Sequence, residues 1–183
     1  MLIVAIEETT IDAVVKFEVE YFFRRRSRMN ESAFRENIVE LLKGGQAHLK
    51  IEKALKGVGE SIRVARPKGS DHSIWDLVEH LRIAQDDILK YMFDSAYEEM
   101  NFPDDYWPPK DKAPTNEEWN HSVEGLIGGV KRLIELVEDR SFDLTAAIPH
   151  GEWRTYLREV LLAADHSAYH LGQIVQLRKL LEA

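Results

Sequence analysis

The sequence predicts an all-α chain arranged as a four-helix bundle. Three observations carry that prediction. Four long segments repeat apolar residues at three- and four-residue spacing, two of those segments open with capping boxes, and few stretches alternate as strands do.

The first helix is predicted from about Glu31 to Lys56, with Phe34, Ile38, Leu41, Leu42, Gly45, Leu49 and Leu55 on one stripe and Gly57 and Gly59 closing it. The second runs from about Ile74 to Tyr97. Ser73 and Asp76 are placed to exchange side-chain and backbone hydrogen bonds, and Ile74, Leu77, Val78, Leu81, Ala84 and Ile88 form its apolar stripe. Residues 101–109 hold three prolines, which rule out a regular helix; their aromatic residues are candidates to plug one end of the core. Thr115 and Glu118 form a second capping box, opening a third helix. Its seam is Trp119, Val123, Leu126, Ile127, Val130, Leu133, Ile134 and Val137. The fourth runs from about Thr155 to Leu181, is apolar on more than one face, and is therefore expected to be the most buried. The connection from the second helix to the third is long enough to cross the bundle.

A chain of 183 residues is enough for one domain with a proper core. Residues 30–183 read as that bundle. Residues 1–29 read as an N-terminal extension in which Ile11, Val14, Val15 and Phe22 can form a further amphipathic helix, and Met29 is an alternative start. The opening apolar run is too short to span a membrane, and its basic residues follow it rather than precede it, so a cytoplasmic location is expected. The net charge of −8 gives no nucleic-acid footprint; the cluster Arg24, Arg25, Arg26 and Arg28 lies among acidic residues and reads as solvated surface. With no cysteine, disulfides, thiolate metal sites and a cysteine nucleophile are excluded, and a metal must be held by His, Asp, Glu or water.

Among seven histidines, His166 and His170 stand out. Four apart on one helix, their imidazoles share a face and can reach one ion. They continue the line of Ala163, Gln173, Ile174 and Leu177, so they face the core, where two unpartnered imidazoles cost several kcal/mol. A metal removes that cost; bonding to backbone or to each other is the alternative. His80 borders the stripe of the second helix and is the natural third ligand. Three neutral nitrogens with an open fourth position describe a catalytic rather than a structural site. Glu79 and Asp165 each precede a ligand and point about 100° away, which suits a surface or inter-helix contact better than ligation. Gln173 can orient an imidazole or brace two helices. Gly172, costly in a helix by roughly 0.5–1 kcal/mol, allows a helix or a ligand to approach.

Leu157 to Ile174, with its His-x-x-x-His-x-Gly-Gln element, resembles the closing helix of the DinB-like family, and Ser73 to Leu81 resembles that family's second helix. The resemblance covers roughly residues 30 to 183. It implies a four-helix bundle with a crossover between helices two and three, and a divalent metal (zinc or nickel) on His80, His166 and His170. It also implies a homodimer and a small-molecule substrate, handled by hydrolysis or by transfer to a low-molecular-weight thiol. Glu79, Asp165 and Tyr169 are candidate general bases by proximity in sequence alone. The competing functions are a non-catalytic binder of metal or a stress metabolite, and a structural bundle without metal.

Overall fold

The computed structural model describes residue 21, residues 30–110 and residues 112–183. The helix expected for Ile11, Val14, Val15 and Phe22 and the arginine cluster lie outside the described residues. The contacts divide the chain into two compact units, Met1–Asn37 and Ile38–Ala183; the second holds both apolar clusters and the histidines described below.

Among the described residues the helices are α1 (30–43), α2 (Ile51–Leu55), α3 (Glu60–Arg63), α4 (Ile74–Phe93), α5 (Asn116–Glu138) and α6 (Tyr156–Leu181), with one 3₁₀ turn at Asp104–Tyr106. No strand occurs among these residues beyond an isolated bridge between Ala147 and Thr155. The fold is thus all-α, as expected.

The capping boxes form as read. Ser73 Oγ accepts from Asp76 N while the Asp76 carboxylate accepts from Ser73 N, and Thr115 and Glu118 do the same at α5. Thr155 caps α6 through Arg158 N. All six expected stripe residues of α4 are buried.

Three expectations are corrected. The segment 31–56 is two helices, not one, because Gly44 and Gly45 take φ of +59° and +89°, a left-handed conformation that ends a helix and that glycine adopts without a Cβ penalty. Leu41 and Leu49, assigned to one buried stripe, are 48% and 47% exposed as a result. The second helix stops at Phe93 rather than Tyr97: the Asp94 side chain accepts from Ala96 N, a local bond that competes with the helical ladder. Finally, α4 and not α6 is the most buried helix. Thirteen of its twenty residues are buried, against eight of twenty-six in α6. Helix α4 packs against both α5 and α6, whereas Leu161, Leu162 and Leu180 of α6 face solvent.

Helix directions follow from the contacts. Trp75 meets Trp119 at 6.4 Å near the starts of α4 and α5, and Gln85 meets Gly129 further along, so these helices run parallel and the connection between them crosses back. Phe93 at the end of α4 meets Tyr156 at the start of α6, so that pair is antiparallel.

Two apolar clusters result. One joins Ile38, Val39 and Leu42 of α1 to Ile88 and Met92 of α4, Leu133 and Val137 of α5, and Val160 and Ala163 of α6. The other gathers Leu55, Ile74, Leu77, Leu81, Trp119, Leu126, Ile174 and Leu177. Along α6 the interval between them holds His166 and His170, and on α4 His80 lies within the second cluster, between Leu77 and Leu81. The core is interrupted by imidazoles at the place where two antiparallel helices face each other.

Candidate metal centre

His80, His166 and His170 converge. One ring nitrogen from each lies within 4.8 Å of the other two. His80 and His170 are 5% and 7% exposed, and His166 is half-buried. Helical geometry explains the pair on α6, since residues four apart stack one turn above the other. The third ring comes from the second turn of α4, whose entry is fixed by the Ser73 cap.

Two of the rings have their tautomers set. His80 Nδ1 lies 2.8 Å from the Tyr106 carbonyl, and His170 Nδ1 lies 2.7 Å from Gln173 Oε1. Both partners are acceptors, so both Nδ1 atoms carry the proton and both Nε2 atoms are acceptors that point away from those partners. The expected orienting role of Gln173 is realised. His80 Nε2 and His166 Nε2 are 3.0 Å apart. Two nitrogens bound 2.0–2.1 Å from one tetrahedral ion stand about 3.3 Å apart, so this pair fits with little movement.

Charge state agrees with the donor set. Burial lowers the pKa of all three rings. For His166, burial and then the imidazoles of His170 and His80 bring it down to about 4. For His80, the Tyr106 carbonyl offsets part of the lowering, and for His170 the Gln173 amide does so. The rings are therefore neutral near pH 7, as ligation requires. Three neutral imidazoles are a donor set that fits one divalent ion, which would replace the His80–His166 hydrogen bond.

The surroundings include residues whose sequence pattern does not place them at the site. Trp107 stacks on His80 at 3.9 Å and 4°, and on its other face His72 stacks at 4.0 Å and 7°. Trp107 also packs on the second apolar cluster, whereas Phe102 is exposed, so of the expected plugging aromatics Trp107 walls the histidine site. Asp87, 9% exposed, accepts from Tyr106 Oη at 2.7 Å and from Tyr97 Oη at 3.0 Å. Burial and the Asp87 carboxylate raise both phenol pKa values, Tyr97 to about 12. Through Tyr106 the carboxylate fixes the turn whose carbonyl holds His80. One signal for Asp87 was available, because it falls seven residues after His80 on the same helix stripe. Nothing local marks Trp107 or Tyr106.

Of the candidate bases, Glu79 is engaged by Arg82 at 2.6 Å and by the Ser122 hydroxyl of α5, the expected inter-helix contact. Asp165 is exposed. Tyr169, 64% exposed, sets its ring edge-on to His170 at 4.8 Å.

Removing the Tyr106 hydroxyl tests the orienting chain. Tyr106→Phe is expected to weaken zinc binding roughly 10- to 100-fold, the usual effect of losing a partner that orients a ligand. Competition against a chromophoric chelator measures it; an unchanged dissociation constant would show that the Asp87–Tyr106 contact does not position His80.

A family model described as the DinB superfamily matches residues 46–174, which include all three histidines and Trp107. No curated protein matches the chain, and no solved structure does. No helix among the described residues is long and apolar enough to cross a membrane.

Proposed function

The chain belongs to the DinB superfamily, and from that premise we propose that it is a divalent-metal-dependent enzyme acting on a small molecule, by hydrolysis or by thiol-dependent transfer, with His80, His166 and His170 as its ligands. The observation that carries this reading is the convergence of three neutral imidazoles with no carboxylate among them. Such a set leaves a fourth position for water or substrate, the pattern of catalytic rather than structural sites. His80, His166 and His170 would hold a zinc or nickel ion there, which would supply Lewis-acid chemistry.

The chain's own residues do the remaining work. Tyr106 and Gln173 hold two rings in the tautomer that presents Nε2. The indole of Trp107 covers the His80 face and keeps water from it. Glu79 is already bound to Arg82 and Ser122, and Asp165 faces outward, so neither is free to accept a proton at the site. Tyr169, largely exposed, flanks His170 edge-on.

The test is turnover by the zinc- or nickel-loaded chain. Panels of esters and amides, and of electrophiles offered with a low-molecular-weight thiol, are expected to show at least one metal-dependent conversion that His166→Ala abolishes. A chain that holds its ion and turns over none of them contradicts the enzyme reading and favours a non-catalytic binder on the same scaffold.

A further inference from the structure

Beside the three histidines, between residues 67–72 and α6, lies a cavity of 510 Å³. Its volume is that of a small-molecule site. Resting on the metal site proposed above, we propose that this cavity binds a carboxylate-bearing small molecule with an apolar body, and that Gly172 is the position that sets the size of that body.

The cavity adjoins the histidines. His72, Tyr169 and Gln173 line the cavity, and each connects to the histidines. Tyr169 meets the His170 ring edge-on, Gln173 accepts from His170 Nδ1, and His72 stacks on the same indole that stacks on His80. A molecule in the cavity therefore lies against the side chains that touch the ligand set.

The lining is rich in hydrogen-bond donors. The Gln173 amide oxygen is committed to His170, so the amide group it leaves for the cavity is its NH₂, a donor. Lys68 and Gln176 add further donors along the rim, while Leu77 and Leu177 supply apolar surface. Asp71 is the one acidic residue in the lining. Three neutral ligands leave the double charge of a bound ion uncompensated, and an uncompensated charge in a partly buried site attracts anions. Donors, a lysine and that charge on one side, with leucines on the other, match an organic carboxylate.

Gly172 keeps part of the cavity open. It sits inside α6 and lines the cavity, and a Cβ built on it meets nothing within 4 Å. No neighbouring helix needs the missing side chain, which removes the helix-approach explanation. A mid-helix glycine is unfavourable against alanine by roughly 0.5–1 kcal/mol. What its absence of a side chain preserves is the volume of the cavity.

The test uses the full chain loaded with zinc, titrated calorimetrically with 4-phenylbutyrate and with 4-phenylbutylamine, two probes that share an apolar body and carry opposite heads. The carboxylate is expected to bind and the amine to bind more weakly. Gly172→Leu keeps a strong helix former and is expected to lower 4-phenylbutyrate affinity by about tenfold by overfilling the space. Lys68→Glu, on an exposed residue, is expected to lower it by about fivefold. Equal binding of the two probes overturns the carboxylate assignment, and 4-phenylbutyrate binding that both variants leave unchanged overturns the cavity assignment. Metal content measured on the same samples separates the two readings. A parent that takes up no zinc fails at the histidines, and the pocket falls with it. A parent that holds zinc but binds no 4-phenylbutyrate fails at the pocket alone.

Discussion

Replacing His166 by alanine is expected to weaken the binding of one divalent ion by two to three orders of magnitude. Structural zinc sites bind with roughly 10–16 kcal/mol from four ligands, so one ligand contributes about 3–4 kcal/mol. The same substitution has an acid signature. His166 is held neutral in the fold down to about pH 4 by burial and by its two neighbouring imidazoles, against an ordinary value of 6.5. Between those values the unfolded chain takes up a proton that the folded chain refuses. The unfolded state therefore binds more protons there, and metal-free stability falls as the pH drops from about 6.5 towards 4. His80 and His170 are lowered in the same direction and add to that fall. His166→Ala removes the largest contribution, so the metal-free variant is expected to lose less stability between pH 7 and pH 5 than the parent does. Urea titrations at the two pH values, with and without zinc, check both effects. Undiminished zinc affinity, or an acid loss as steep as the parent's, would remove His166 from the site.

The largest stability effect outside the histidines is expected at Gly129. Gln85 of α4 is 4% exposed and reaches across to α5; with its amide turned so that both ends are satisfied, its nitrogen donates to the Leu126 carbonyl at 2.8 Å and its oxygen accepts from Val130 N at 3.2 Å. Gly129 makes room for that amide. A Cβ at 129 lies 2.7 Å from the amide carbon of Gln85 and closer still to its terminal atom. Gln85 must then leave both backbone groups, or α4 and α5 must separate. Gly129→Ala is expected to cost about 3 kcal/mol, combining overpacking with the loss of buried hydrogen bonds. For a chain of this length that corresponds to a fall in Tm of roughly 6–12 °C. Gly172→Ala is the natural control. It meets open space in a helix, and is expected to raise stability by about 0.5–1 kcal/mol. Thermal melts of the two variants side by side check the contrast, and a Gly129→Ala chain as stable as the parent would refute the account of the α4–α5 contact.

What could be read from the sequence was what depends on near neighbours. The caps at Ser73 and Thr115 need only residues three apart, and the His166–His170 pair needs only one helical turn. The inclusion of His80 rested on its place beside the α4 stripe, and the packing of α4 on α6 brings its ring to the other two. Features set by distant partners were not legible. Gly45 fits an apolar stripe as well as it fits a break, and its conformation, not its spacing, ends α1. The apolar residues of α6 say how much surface can be buried, but not that α4 takes the central place while Leu161 and Leu180 stay open. Trp107 sits in a proline-rich loop whose composition shows only that it is not helical. Its stacking on His80 is made by a crossover that no local pattern encodes.

The central claim is that three imidazoles hold one ion. Elemental mass spectrometry on the untagged chain, purified without chelator and then offered zinc and nickel at neutral pH, tests it most directly. The account predicts one ion per chain in the parent and none retained by His166→Ala. A parent that binds neither metal, although its histidines are neutral and converge, would contradict it.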